Sequence, residues 1–118
     1  MKKLITVFLL MASSKFGALA IDKSNGFYYS WSYDQSTLAD AEKRALEECS
    51  EKGGKGTVVL IWSGEGCAAY RTIAGSSINN AFGWGVAKTK QEADNIATSE
   101  CLKRSNGKPA SNYVWACN

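Results

Sequence analysis

The chain has 118 residues, 45% of them hydrophobic and 21% charged, with four cysteines, one proline, no histidine and a formal net charge of +3. A chain of this length forms a single domain that buries only part of its surface, so covalent staples add usefully to its core. The absence of histidine excludes Ser-His-Asp and Cys-His catalysis, and it removes the commonest general base and metal ligand.

The first twenty residues, MKKLITVFLLMASSKFGALA, open with Lys2 and Lys3, run through apolar Leu4 to Ala12 and close on Ala18-Leu19-Ala20. Charge, a short apolar stretch and an A-x-A end are what a signal peptidase reads. Residues 1–20 are therefore expected to be an export signal and residues 21–118 one mature domain. A predominantly apolar run of nine residues is too short for a membrane-spanning helix, which needs about 20. No cysteine follows the expected cut to carry a lipid. The signal holds Lys2, Lys3 and Lys15 and no acid, so eleven basic residues face eleven acidic ones in the remainder. That neutral balance leaves no electrostatic footprint for nucleic acid.

DKSNG, Asp22 to Gly26, reads as a turn, so Ala20 to Asp22 is expected to form a short edge strand. Phe27 to Tyr33 alternates Phe27, Tyr29, Trp31 and Tyr33 with Tyr28, Ser30 and Ser32, the period of a half-buried strand. Thr37 followed by Asp40 is a helix start, and Leu38, Ala41, Ala45 and Cys49 keep helical spacing up to Gly53-Gly54, which gives a helix over 37–51. TVVLIW, Thr57 to Trp62, reads as a central buried strand. Cys67 to Ile73 and Ala81 to Ala87 read as a hairpin. Thr89 with Glu92 starts a second helix, carried by Ala93, Ile96, Ala97 and Cys101 and stopped at Asn106-Gly107, which spans 89–104; Asn112 to Cys117 closes the chain as a strand.

The chain repeats itself. Without a gap, Thr37, Ala41, Ala45 and Cys49 align on Thr89, Ala93, Ala97 and Cys101; one gap brings Trp31 onto Trp84, and another brings Trp62 opposite Trp115. Duplication is the simplest account. The expected fold is α+β: a β-β-α-β unit in two copies, 21–63 and 67–117, forming one antiparallel-rich sheet with both helices on one face. Gly83 and Gly85 beside Trp84, with alanine on the helices, let backbones approach closely. In an exported chain, Cys49, Cys67, Cys101 and Cys117 read as two disulfides. Three pairings are open, and spacings of 18, 34 and 16 contain no C-x-x-C knuckle for zinc.

Phe82-Gly83-Trp84-Gly85 followed by Thr89 and the Glu92-Ala93 helix to Cys101, Val58-Val59 with Trp62, and Gly66-Cys67-Ala68-Ala69 resemble the bacterial exported family called domain of unknown function 4189. The resemblance covers residues 21–118 and implies an exported or periplasmic duplicated α+β domain; it brings no established catalytic residues. The chain departs from the commoner pattern at Tyr29-Ser30-Trp31-Ser32, which lacks glycines. It also has Lys55-Gly56-Thr57 and Ala110-Ser111-Asn112 where relatives often carry a further Cys before the strand.

Among carboxylates, Glu47 and Glu48 are neighbours on a helix, Glu100 repeats Glu48, and Glu65 stands between glycines in SGEGC. Two carboxylates about 5 to 9.5 Å apart are what glycosidic hydrolysis needs. SGEG lacks the strand-to-helix setting of a phosphate cradle. The aromatic strand has no interleaved basic residues for stacking nucleic acid. No cofactor or metal is expected. The expected function is a non-enzymatic, periplasmic or secreted bacterial interaction protein, an inhibitor or immunity protein neutralising a toxin or cell-wall hydrolase. Its contacts are placed at Ser63, Gly64, Glu65 and Gly66, at Ser76, Ser77, Asn79 and Asn80 of the AGSSINN loop, and at the aromatic anchors Tyr70 and Trp31. The alternatives are a secreted effector or virulence factor, and a cell-wall hydrolase using Glu65 or Glu100.

Overall fold

The computed structural model describes residues 15–73, 81–110 and 112–118. Eight elements follow one another: β1 (Phe16–Asp22), β2 (Asn25–Gln35), α1 (Leu38–Glu51), β3 (Thr57–Ser63), β4 (Cys67–Thr72), β5 (Phe82–Ala87), α2 (Lys90–Arg104) and β6 (Val114–Cys117). The order is β-β-α-β twice, an α+β fold built by duplication. Both helix starts form as the sequence indicates. Thr37 Oγ1 accepts from the Asp40 amide at 3.1 Å and Thr89 Oγ1 from the Glu92 amide at 3.2 Å. These bonds satisfy amides that a helix leaves open in its first turn.

The strands divide between two antiparallel three-stranded sheets, β2-β1-β3 and β5-β4-β6, where the repeat alone suggested one. Each helix covers the outer face of its own sheet. Alternation along β1 sends Ala18 and Ala20 toward Ala41, Ala45 and Cys49 of α1, and sends Leu19 and Ile21 inward to Tyr70 of the other sheet. In the second copy Ala69 meets Ala93 and Ala97 of α2, while Ala68 packs with Trp62 across the sheet interface. The layers therefore run helix, sheet, sheet, helix. The division has a simple cause: small residues fill the helix–sheet layers, and the large rings Tyr29, Trp31, Trp62, Tyr70 and Trp84 fill the space between the sheets.

Four further expectations change. The segment expected to begin at Ala20 as an edge strand starts at Phe16 and is the centre of its sheet, with Ala18, Leu19, Ala20 and Ile21 all fully buried. Conversely, β3 lies at a sheet edge, with Val58 to Leu60 half-buried and Ile61 exposed, because β1 takes the centre. Trp62 and Trp115 are not equivalent in register. Trp62 stands opposite Gly17 and Trp115 opposite Ala69, one step apart once Leu19–Trp31 is matched to Tyr70–Trp84. A one-residue slip changes faces, so Trp62 is buried between the sheets and Trp115 is exposed under the Lys90 ammonium, 4.1 Å from its ring centre.

The cysteines are the fourth. Cys67 and Cys117, opposite each other on β4 and β6, form a disulfide, while Cys49 and Cys101 are free thiols. Cys49 packs with alanines under α1 and Cys101 with Ile73 and Ala81 under α2, on opposite outer layers, so no bond between them is reachable. Burial pushes both thiols above their ordinary pKa. A Cβ built on Gly56 would stand 3.0 Å from Cys49 Sγ, which places the Lys55-Gly56-Thr57 segment against the unpaired thiol.

Candidate functional site

The Ser63–Gly66 segment joins β3 to β4 and so links the two copies. Gly64 has φ +77, a left-handed conformation that favours glycine and lets the chain reverse between two sheets. The turn is held from two sides. The Gly64 amide donates to Lys15 O at 2.9 Å, the Asn118 amide donates to Gly66 O at 2.9 Å, and Asn118 Nδ2 donates to Gly64 O at 3.0 Å and Lys15 O at 3.3 Å. Asn118 Oδ1 in turn accepts from the Asp34 amide at 3.0 Å. The disulfide lies immediately beyond, at Cys67 and Cys117. Glu65 and Ser63 are exposed on this fixed turn.

The other proposed contacts fare differently. Tyr70 is fully buried and its hydroxyl donates to Gly26 O at 2.8 Å, so it is an inter-sheet core residue and offers no surface to a partner. Burial also raises its phenol pKa. Trp31 is half-buried, edge-on to Trp62 with ring centres 5.8 Å apart. Both indole N–H groups are buried and, among the described residues, without an acceptor, a cost of about 1–3 kcal/mol each. Ser76, Ser77, Asn79 and Asn80 lie outside the described residues.

The carboxylates do not converge. Glu48 on α1 accepts from Ser30 Oγ at 3.2 Å and pairs with Arg44 at 3.6 Å, while Glu100 on α2 pairs with Lys103 at 3.3 Å and Arg104 at 3.5 Å. The two helices cover opposite faces of a pair of sheets that alone is about 10 Å thick, so Glu48 and Glu100 cannot share a glycosidic bond. Among the described residues there is no cluster of three or more metal-ligating side chains.

An open groove on the second copy is lined by Arg71, Asp94, Thr98 and Lys103, among others. Arg71 is engaged on every side. It donates to both Asp94 oxygens at 2.6 and 2.8 Å and to Asn112 O at 3.2 Å, and it stacks 4.5 Å over Tyr113. The bidentate bond to Asp94 holds the guanidinium firmly protonated.

With β1 included, the duplicated unit spans Phe16 to Cys117, and this is also the extent over which the sequence matches a family model. The chain belongs to the family described as Domain of unknown function (DUF4189), matched over residues 16–117. No curated protein matches it. Among solved structures it is similar to the NMR structure of Rv1813c from Mycobacterium tuberculosis, with 30% sequence identity, a TM-score of 0.52, 88% of this chain covered and 75% of that one.

Sequence reasoning missed the Lys15 and Asn118 clamps and the Arg71–Asp94 pair. The clamps are main-chain and amide contacts, between residues 54 to 103 positions apart for the Asn118 side chain, which no local pattern encodes. A signal for β1 was present, because extending the repeat upstream puts Ala18-Leu19-Ala20 on Ala69-Tyr70-Arg71.

Proposed function

We propose that this chain is an exported protein-binding module, acting as an inhibitor or immunity protein that neutralises a toxin or cell-wall hydrolase, with the Ser63–Gly66 turn entering the partner's cleft. The observation that carries the reading is the fixed presentation of Glu65. Its turn is held by Lys15 and Asn118 and backed by the Cys67–Cys117 bond, so little ordering entropy remains to be lost on binding. An exposed carboxylate on such a turn suits a cleft lined with basic or hydrogen-bond-donating groups.

The test is affinity capture by the oxidised protein from bacterial extracts, followed by titration of the retained partner and assay of its activity. Glu65→Lys is expected to weaken binding at least tenfold, about 1.4 kcal/mol. Asn118→Ala is expected to speed dissociation by loosening the turn. Unchanged affinity in both variants, or a retained partner whose activity does not fall, overturns the assignment.

A further inference from the structure

We infer that export processing, on which this proposal rests, cuts the bond between Ser14 and Lys15, and that Ala18-Leu19-Ala20 is a piece of the folded domain that merely resembles a processing site.

Both candidate sites follow the same charged and apolar leader. The apolar run ends at Ala12. Ala12 and Ser14 then supply small residues at the third and first positions before the Ser14–Lys15 bond, directly after the run, as a peptidase at the membrane surface requires. Ala18-Leu19-Ala20 supplies the same pattern eight residues beyond the run, with Lys15 and Phe16 intervening.

The fold separates the two. A cut after Ala20 removes Phe16 to Ala20 from the seven-residue strand β1. It removes the partners of Ser30, Trp31 and Ser32 on one side and of Val58, Leu60, Ile61 and Trp62 on the other. β1 stands between β2 and β3 in that sheet, so both lose their shared neighbour. Fully buried Ala18, Leu19 and Ala20 leave two core clusters open at once, one against α1 and one against Tyr70. The Gly64 amide and Asn118 Nδ2 also lose Lys15 O. A cut after Ser14 keeps Lys15 and the whole of β1 in the mature chain, and with them every one of these contacts. In the reaction, water adds across the Ser14–Lys15 amide; the C–N bond breaks, Ser14 keeps a carboxylate and Lys15 becomes the new amino terminus.

The experiment expresses the full chain in a bacterial host, fractionates the cells, and determines intact mass and amino-terminal sequence of the exported protein. A terminus at Lys15 is expected, with Ser14→Leu lowering the processed fraction at least tenfold in a short pulse label. A terminus at Ile21, an exported chain left uncut, or normal processing of Ser14→Leu overturns the site and leaves export standing. Full-length chain confined to the cytoplasm overturns the site together with the export reading.

Discussion

The two copies solve one packing problem by different chemistry. With Trp31 matched to Trp84, Ser30 and Ser32 of the first copy occupy the positions of Gly83 and Gly85 in the second. Where the first copy has serine, the sheet hydrogen-bonds its helix: Ser32 Oγ donates to Ala41 O at 2.5 Å and Ser30 Oγ to Glu48. Where the second has glycine, α2 approaches the sheet directly. A Cβ at Gly83 would collide with the backbone at Ala97 and Cys101, and one at Gly85 would lie 2.7 Å from Ala93 O. The sheet ends also differ. Cys67–Cys117 closes the second copy where the first has only Phe16 opposite Ser63. The first copy compensates with an unbroken apolar run, Phe16 to Ile21, in its central strand, whereas the second places Arg71 at the position of Ala20 and pairs it with Asp94. The lesson is that the repeated alanines and cysteine of each helix set the layer spacing, and the facing strand is free to adapt.

The largest test of this difference is reduction. The Cys67–Cys117 bond spans 50 residues, and its loss is expected to cost about 4 kcal/mol in the loop-entropy model. Native oxidised protein should show no reactive thiol, because Cys49 and Cys101 are buried, and two thiols after denaturation. Four thiols in the denatured oxidised protein would remove the bridge. The next effect contrasts equivalent positions. Gly83→Ala is expected to lose about 3 kcal/mol through overpacking against α2, and Ser30→Ala about 1 kcal/mol through one lost hydrogen bond. Equal losses in urea unfolding would show that the copies pack alike.

The smallest effect concerns acid. Asp22, in the first copy's β1–β2 turn, accepts from Ser24 Oγ at 2.6 Å, the Ser24 amide at 2.8 Å and the Lys55 amide at 3.0 Å. These bonds, the Ser24 side chain foremost, hold its pKa at about 2 against an ordinary 3.8. A depressed folded pKa gives stability that is complete above the ordinary value and lost as pH falls from there through the folded one. Asp22→Asn is therefore expected to lower the urea midpoint at pH 6 and to close most of its gap to the parent as the pH falls to about 2. A gap that persists undiminished at pH 2 would assign the effect to packing.

Much of the architecture was legible because its causes are local. Thr37 and Thr89 cap helices wherever an acid follows three residues later, and the Ala-Ala-Cys stripes mark buried helix faces by spacing alone. The candidate turn was legible for a similar reason, since SGEG between two strands is a reversal whatever surrounds it. Other features depended on contacts made across the chain. Tyr70 and Trp31 carry polar handles that suit a surface or a core equally, and their placement follows from the second sheet lying over them. The export-like end Ala18-Leu19-Ala20 is small and apolar, a composition shared by peptidase sites and by strands pressed between a helix and a sheet.

The sequence by itself determined the duplicated β-β-α-β order, both helices with their caps, and the absence of histidine chemistry, because composition and short-range periodicity specify these without reference to distant residues. The tertiary structure decided that there are two sheets, that β1 is central, that one disulfide forms and that Lys15 and Asn118 fix the Glu65 turn. Each of these depends on which residues far apart in sequence come within bonding distance, and close packing of two layers of rings between two alanine-faced helices selects them.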